Sequence, residues 1–335
     1  MIGDTMATER FSLLSGYFEH YYQTHPPVLR FQATSPVQFE EWRLALRLKI
    51  WELLGVPPID RVPLAAHVVA REEEEAYWRE KITYTTAPGI TAVGYLLTPK
   101  SATLPRPAVL CPHGHGVGKE ATIQKGTSQD YAVRFAEHGF ITFTPDHIGF
   151  GDRSELFDDD AGRGYRLTML KFQLLGQTVM GWRVWDLMRA LDLLAQRPEV
   201  QADRIGCVGL SLGGELTLYL AALDDRVKVA LISGFLNTLH DTFYAVEHCN
   251  CGYVPGILKY AEMGDIAALI APRPLLIESG KRDTLFPTKT AQEGFGIAQR
   301  AYALLGAVER IEMEIFDGGH AFSGRKAFDW FERWL

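Results

Sequence analysis

The feature that most constrains this chain is a glycine–serine turn between an apolar strand and an apolar helix. Residues 205–208 are predicted to form a short buried strand and residues 215–223 a helix, with Gly209, Ser211 and Gly213 between them. A serine at such a sharp turn has a strained backbone, so the residues two positions before and after it must lack a side chain. The turn lifts the hydroxyl above the sheet edge, where the unpaired N–H groups of the helix N-terminus face it. Because strand and helix flank the motif, it predicts a nucleophilic serine rather than an ordinary loop.

The composition is typical of a globular protein with one large α/β domain. With 335 residues, 47% of them apolar, the chain can bury a sizeable core. The net charge of −7 argues against nucleic acid or an anionic membrane surface as a partner. No apolar run has the length of a membrane span, and the first residues lack the pattern of a secretory signal. We therefore expect a cytoplasmic location, although a signal peptide already removed would leave no trace in this chain.

Apolar strands alternate with helices from about residue 108 to the end of the chain. The predicted strands are residues 108–111, 140–144, 205–208, 229–232, 275–278 and 311–316, and the predicted helices are 130–137, 179–196, 215–223, 288–305 and 323–334. This alternation predicts an α/β fold with a mostly parallel sheet and helices on both faces. Three β-branched and aromatic segments precede it, at residues 68–75, 77–86 and 91–97, and the last two are predicted to form an antiparallel hairpin.

The chain is predicted to have two parts. Residues 1–66 are expected to form a helical N-terminal extension, since Leu44, Leu48 and Trp51 recur at helical spacing and Gly55 can end that helix. Residues 67–335 are expected to form the catalytic domain. Within it, residues 235–265 interrupt the strand–helix alternation and are predicted to be an insertion over the active-site edge of the sheet.

A serine hydroxyl becomes an effective nucleophile only beside a base, and the base needs an acid to orient it. After a serine on a strand-to-helix turn, the acid and then the histidine are expected, each in a loop just past a strand. Asp283 and His320 occupy such places, and the carboxyl ends of parallel strands open onto one edge of the sheet. Asp317, three residues before His320, is the alternative acid. Asp283 is favoured because its own strand positions it at that edge.

Two N–H donors are needed to hold the negative charge that develops on the ester oxygen. The residue after the nucleophile, Leu212, supplies one of them. The second is expected from the loop after the strand at 108–111, where His115 is the first choice and Gly114 the next. His113 and His115 are also spaced as a ligand pair. No carboxylate or further histidine follows at metal spacing, so no metal site is predicted there.

Two other segments carry candidate binding residues. The segment 146–153 follows a strand on the same edge and is expected to shape the adjoining loop, with Arg153 paired to a carboxylate or, alternatively, contacting a substrate carboxylate. His113, Arg153 and Tyr253 are taken as candidate substrate contacts. Cys249 and Cys251 could bind a metal or form a redox pair. With one adjacent histidine they make an incomplete tetrahedral set, so packing or pocket lining is preferred.

Taken together, these residues resemble the α/β-hydrolase superfamily from about residue 80 to the end. Within it the chain is similar to the acetyl xylan esterase and dienelactone hydrolase-like branch, the family 7 α/β-hydrolases. The motifs behind this resemblance lie at residues 112–116, 146–153, 209–214, 251–256 and 271–274. The resemblance implies a triad of Ser211, Asp283 and His320, no cofactor, and carboxyl-ester substrates. Dienelactone hydrolases use a cysteine nucleophile, and Ser211 stands in its place here, so that activity is not expected.

The sequence thus predicts a serine carboxylester hydrolase that forms an acyl-enzyme, acting on short-chain, acetyl-type esters that include those of carbohydrates. A small-molecule or saccharide ester is the expected partner, and self-association stays open. A serine peptidase resembling the prolyl oligopeptidase group is the first alternative, against which the absence of a long repeat-built propeller weighs. The second is a non-catalytic binding module, which would predict a broken triad, whereas all three members are present.

Overall fold

A nine-stranded sheet forms the centre of the protein. The computed structural model describes residues 14, 16–57, 59–101, 103–154 and 163–335. Its strands are β1 (His67–Glu73), β2 (Tyr77–Ala87), β3 (Ile90–Pro99), β4 (Arg106–Leu110), β5 (Ile141–Pro145), β6 (Val200–Leu210), β7 (Val227–Ser233), β8 (Leu275–Gly280) and β9 (Ile311–Phe316). Their order across the sheet is β1-β2-β3-β5-β4-β6-β7-β8-β9. The first pairings, up to β3 with β5, are antiparallel and the others are parallel, which confirms the predicted mixed sheet.

Helices pack on both faces of this sheet, as predicted. They are α1 (residues 16–24), α2 (Pro36–Leu54), α3 (Glu120–Ile123), α4 (Tyr131–Glu137), α5 (Arg163–Leu174), α6 (Val179–Gln196), α7 (Leu212–Leu223), α8 (Met263–Ala268), α9 (Thr288–Leu304) and α10 (Ala327–Trp334). Alternate residues of β6 enter two different apolar clusters: Cys207 joins that of α6 and α7, and Val208 that of α4 and α10. No helix in the described ranges is long and apolar enough to cross a membrane.

Two helix starts differ from the prediction for local reasons. Helix α7 begins at Leu212 instead of Glu215, because Gly213 and Gly214 form its first turn in spite of their low helix propensity. Helix α10 begins at Ala327 instead of Ser323. The N–H groups of Ser323 and Gly324 donate instead to the carboxylate of Glu278, which draws this stretch towards the sheet and out of a helix.

Helix α2 forms as predicted but buries a different face. The Ser35 hydroxyl accepts a hydrogen bond from the Gln38 N–H at the start, and Gly55 ends the helix in the left-handed region with a φ of 67°. Leu44 and Leu48 are 61% and 63% exposed. The buried residues of the helix are Phe39, Leu46, Ile50 and Leu54.

The described part of the predicted N-terminal extension packs into the same core as the sheet. The buried residues of α2 belong to the apolar cluster that contains α6 and α7. The carbonyl oxygen of Leu54 accepts hydrogen bonds from both the N–H and the hydroxyl of Thr178, just before α6. Arg43 and Arg47 pair with Asp225, just after α7. The boundary at residue 66 therefore stays a prediction, while α2 and the catalytic region share one apolar interior.

Candidate active site

Ser211 sits between β6 and α7 with a backbone conformation that few side chains adopt. Its φ is 59° and its ψ is −122°. A Cβ atom at Gly209 would lie 2.2 Å from the Gly213 oxygen, and one at Gly213 would lie 2.1 Å from the Pro112 oxygen. Both positions therefore exclude any side chain, which is the requirement behind the glycine–serine motif. The Ser211 N–H donates to the Ser233 oxygen at 3.1 Å and anchors the turn to β7.

Asp283 and His320 form a close pair. His320 Nδ1 lies 2.7 Å from Asp283 Oδ2. The other carboxylate oxygen accepts from the N–H groups of Leu285 and Phe286 at 2.9 and 3.1 Å. Because the carboxylate is almost unexposed and can only accept, it favours the tautomer with a proton on Nδ1, which leaves Nε2 free to take a proton.

The loops that carry Asp283 and His320 are held together by backbone contacts. A Cβ at Gly280 would lie 2.3 Å from the Gly319 oxygen, so the loops approach more closely than a side chain would allow. The Arg282 N–H donates to the Gly318 oxygen at 2.8 Å. Asp317 is directed away from this pair. Its side chain is 78% exposed and contacts Arg282, so the structure places Asp283, not Asp317, against His320.

His320 lies beside the turn that carries Ser211. A Cβ at Gly234 would lie 3.3 Å from two atoms of the His320 ring, and Gly234 follows Ser233, whose oxygen anchors Ser211. The ring of Phe286 stacks on His320 with centroids 5.7 Å apart, and Phe286 lines the same cavity as Ser211. The structure thus brings the three predicted residues to one edge of the sheet.

A cavity of about 430 Å³ contains Ser211. Residues 235–265, the predicted insertion, supply much of its wall from loops and from two short helices, His240–Tyr244 and Asn250–Gly252. Its apolar lining is largely aromatic, and its polar lining combines imidazole and carboxylate groups. The residues are His115, Ser211, Leu212, Glu215, Phe235, Phe243, Glu247, His248, Cys249, Gly252, Leu285 and Phe286.

The loop after β4 is held by Gln129, which the sequence analysis missed. Gln129 Oε1 accepts from the Gly114 N–H at 2.7 Å, and its amide nitrogen donates to the His115 oxygen at 2.9 Å. The prediction of Gly114 as an oxyanion donor is therefore wrong, because its N–H already donates to Gln129. Among the described residues, the His115 N–H has no hydrogen-bond partner, and Leu212 is the first residue of α7, where N–H groups lack partners within the helix.

The prediction of His113 as a substrate contact is also wrong. Its side chain has no exposed surface. Nδ1 lies 2.7 Å from the Gly114 oxygen, and Nε2 accepts from the His147 N–H at 3.2 Å. Burial lowers the pKa of His113 to about 3, so the ring stays neutral and donates from Nδ1. The ring joins the loop after β4 to the loop after β5 and does not reach the cavity.

Arg153 pairs with a carboxylate, which was one of its two predicted roles. Its Nη1 lies 2.6 Å from Asp186 Oδ2 and also donates to the Asp146 oxygen. Arg153 does not line the cavity of Ser211, so the alternative contact with a substrate carboxylate is not supported. Asp146 pairs with Lys119 at 2.6 Å, both side chains being almost unexposed. This buried ion pair, which the sequence analysis did not predict, explains the aspartate that opens the motif at 146–153.

Tyr253 lines a second cavity instead of the one with Ser211. This cavity has a volume of about 750 Å³ and lies between α1 and the insertion. The Tyr253 hydroxyl donates to the Phe243 oxygen at 2.9 Å. Phe243 and Gly252 line both cavities, so the two are neighbours. Tyr253 therefore remains a candidate only for a substrate that extends beyond the first cavity.

Glu215 is a further residue of the cavity that the sequence analysis passed over. It lies in the first turn of α7 and lines the cavity of Ser211 although its side chain is almost fully buried. Burial raises the pKa of Glu215 well above its usual range. A carboxyl group kept neutral in this way can donate a hydrogen bond, a property that only the three-dimensional surroundings reveal.

Comparisons with known proteins agree with this architecture. A sequence model described as "Abhydrolase family" matches residues 5–320. YtaP of Bacillus subtilis (strain 168), which carries the name of a hydrolase, is 31% identical over 306 residues, covering 88% of this chain and all of YtaP. A Bacteroides fragilis structure named as an acetyl xylan esterase superposes with a TM-score of 0.77 at 22% identity, covering 90% of this chain and 82% of the other. A Solibacter usitatus glucuronoyl esterase gives 0.69 at 17% identity, covering 92% and 97%.

Proposed function

This chain belongs to the α/β-hydrolase family, and we propose on that basis that it hydrolyses carboxyl esters with Ser211 as the nucleophile. The observation that carries the proposal is the position of His320. Its ring lies beside the strained Ser211 turn while its Nδ1 is held by a buried carboxylate at 2.7 Å. A nucleophile, a base and an orienting acid in this order are the parts that acyl transfer by serine requires.

In the proposed first step, Ser211 Oγ attacks the ester carbonyl while His320 Nε2 takes the hydroxyl proton. Asp283 keeps the imidazole in the tautomer with a proton on Nδ1 and stabilises the imidazolium that forms. The imidazolium then gives its proton to the alcohol oxygen as the carbon–oxygen bond breaks, and the acyl group stays on Ser211. A water molecule, deprotonated by His320 Nε2, then attacks the acyl carbonyl. The bond from the acyl carbon to Ser211 Oγ breaks, the imidazolium returns its proton to Ser211 Oγ, and the acid is released.

In each tetrahedral intermediate, the N–H groups of Leu212 and His115 are assigned to stabilise the negative charge on the former carbonyl oxygen. Leu212 opens α7, so its N–H and the positive end of the helix dipole both face the anion. The His115 N–H is held in place by the contact of Gln129 with the His115 oxygen. Removing one donor of this kind typically costs about 100- to 1,000-fold in kcat.

We propose a short acyl group on a small alcohol, such as an acetylated saccharide, as the substrate class. A cavity of about 430 Å³ is large enough for a small molecule and lies at the lower end of ligand sites in size. Aromatic side chains can pack against the faces of a sugar ring, and His248 and Glu247 can hydrogen-bond to its hydroxyls. The names of the acetyl xylan and glucuronoyl esterases that share the fold support the same class.

The proposal is tested by hydrolysis of p-nitrophenyl acetate, butyrate and octanoate and of an acetylated xylo-oligosaccharide. We expect the highest kcat/KM among the p-nitrophenyl esters with acetate. Ser211→Ala should lower kcat by about a million-fold, the loss typical of a removed nucleophile. Ser154→Ala, which changes an exposed serine, is the matched control and should retain full activity. Full activity of Ser211→Ala in a folded protein would contradict the assignment.

The peptidase alternative is tested with the same protein. A peptide p-nitroanilide should be cleaved far more slowly than the acetate ester, since a cavity of about 430 Å³ is small for a peptide. Turnover of the anilide at a rate equal to that of the ester would instead favour the hypothesis of a peptidase resembling the prolyl oligopeptidase group.

A further inference from the structure

We propose that His115, Cys249 and Cys251 form a binding site for a thiophilic divalent cation of the zinc class in the wall of the Ser211 cavity. The three side chains come together in the fold although His115 is far from the two cysteines in sequence. Ester hydrolysis by a serine, an acid and a histidine needs no such ligands, so the site is additional to the proposed function.

One pair of ligand atoms already has the spacing that a zinc ion would impose, and the third ligand atom lies close to both. Cys251 Sγ lies 3.4 Å from His115 Nε2, and all three ligand atoms are within 4.8 Å of one another. In a tetrahedral zinc site with Zn–S about 2.3 Å and Zn–N about 2.0 Å, neighbouring sulfur and nitrogen ligands are about 3.5 Å apart and two sulfurs about 3.8 Å. Small rotations of these side chains would therefore bring all three ligand atoms to bonding distance from one ion.

The two cysteines are presented by one short turn. Cys249 precedes, and Cys251 lies within, the single-turn helix Asn250–Gly252 of the insertion. His115 approaches from the loop after β4, which Gln129 holds through the His115 oxygen. Because both parts are positioned by other contacts, little ordering is left for the metal to impose, and affinity gains from such pre-organisation.

Groups behind the cysteines can orient them as ligands. The Tyr165 hydroxyl lies 3.6 Å from Cys249 Sγ and accepts from Arg183 Nη2 at 2.9 Å. Arg183 is fully buried and lies beside Cys251. Supporting contacts of this kind keep metal ligands in place. Two thiolates balance the charge of a dication, a neutral imidazole adds none, and the Arg183 guanidinium beside Cys251 favours the thiolate form that a metal requires.

The fourth coordination position would open into the cavity. His115 and Cys249 line that cavity together with Ser211, so an ion can enter through it and a water molecule can complete the tetrahedron. Three protein ligands with one open position is the arrangement of zinc sites that bind a water molecule, whereas closed structural sites use four protein ligands. Soft sulfur ligands exclude Mg²⁺, which prefers oxygen.

The test is a titration of the fully reduced, metal-free protein with Zn²⁺ by calorimetry, and with Co²⁺ by absorption spectroscopy. We expect one equivalent to bind, a cobalt spectrum with thiolate charge-transfer and tetrahedral bands, and no binding of Mg²⁺. Cys249→Ser and Cys251→Ser should each weaken Zn²⁺ binding more than about 100-fold, because even supporting groups cost 10- to 100-fold.

The control variant is Cys111→Ala, which removes a thiol that is buried in the apolar cluster of α4 and α10 and donates to the Val109 oxygen at 3.5 Å. It should bind Zn²⁺ as the unmodified chain does. Ser211→Ala should also bind Zn²⁺ normally, which separates this proposal from the esterase assignment. Absence of one-equivalent binding in the reduced protein, or equal binding in the Cys249 and Cys251 variants, would overturn the site.

Discussion

At the residue scale, the two aspartates near His320 differ in what surrounds them. The Asp283 carboxylate is buried, accepts hydrogen bonds from two backbone N–H groups and lies against His320 Nδ1. Asp317 is closer to His320 in sequence but is exposed and pairs with Arg282. Only the enclosed carboxylate can hold one tautomer of the imidazole against competition from water.

Replacing each aspartate by asparagine separates them. Asp283→Asn keeps the shape but favours the wrong tautomer of His320, and we expect kcat on p-nitrophenyl acetate to fall about 10,000-fold. Asp317→Asn, the matched control, should change kcat by less than about twofold, since it removes only an exposed ion pair. Equal losses in the two variants would contradict the assignment of the acid.

His113 gives the protein a stability that depends on pH. Burial lowers its folded-state pKa to about 3, from an ordinary value of 6.5. The unfolded chain therefore takes up the proton first, so this stabilisation is complete above pH 6.5 and is lost as the pH falls towards 3. Between pH 6.5 and 5 the loss amounts to about 2 kcal/mol.

We expect His113→Gln to flatten the pH dependence of the free energy of unfolding by about 2 kcal/mol between pH 6.5 and 5. Urea unfolding at several pH values measures this difference, which is independent of any constant loss of packing. His20→Gln, in exposed α1, controls for the loss of a histidine as such. An unchanged pH dependence in His113→Gln would show that the ring is protonated without cost in the folded state.

Some residue roles could be predicted from the sequence and others could not. Ser211, Asp283 and His320 follow strands in a fixed order, so counting along the chain was enough to place them at one edge. Gly114 and His113 were misjudged because their partners, Gln129 and His147, lie outside the motif. Hydrogen bonds between separate loops leave no periodic signal in a sequence.

At the element scale, close approaches of helices position the insertion. A Cβ at Gly264 in α8 would lie 2.5 Å from the Gly294 oxygen in α9. A Cβ at Gly294 would itself lie 2.5 Å from the oxygen of Asn237, in the insertion. Both contacts are with backbone atoms, which cannot move aside as a flexible side chain would.

Two glycines of α9 make a matched pair for testing this contact. Gly294→Ala should destabilise the protein by about 1–3 kcal/mol, the usual cost of overpacking. At Gly296, two residues on, a Cβ would meet nothing within 4 Å. Gly296→Ala should therefore stabilise the helix by about 0.5–1 kcal/mol. Thermal unfolding of both variants measures the difference, and effects of the same sign would contradict the packing described.

Helix α2 shows why an element can be predicted while its buried face is not. Its spacing, Ser35 cap and Gly55 end are local signals, and the helix forms where they indicate. Apolar residues lie on more than one side, however, and Leu44 and Leu48 are on the exposed one. The face that packs is selected by α6 and α7, which are far away in the sequence.

At the scale of the whole molecule, the alternation of apolar strands and helices predicted the fold because each buried strand carries its own signal. The walls of the cavity could not be predicted in the same way. Residues 235–265 form short turns without a period, and their positions depend on contacts with α1, α9 and the loop after β4. Cys249 and Cys251 were considered as metal ligands from the sequence, but the approach of His115 to them could not be predicted, for the same reason.

We propose that Ser211 is the nucleophile of an ester hydrolase, and one reaction tests this without any choice of substrate. The most direct measurement is reaction with a fluorophosphonate probe, followed by intact mass and peptide mapping. We expect one label per chain, on the peptide that contains Ser211, and no label on folded Ser211→Ala. A label on another residue, or none on the folded unmodified protein, would contradict it.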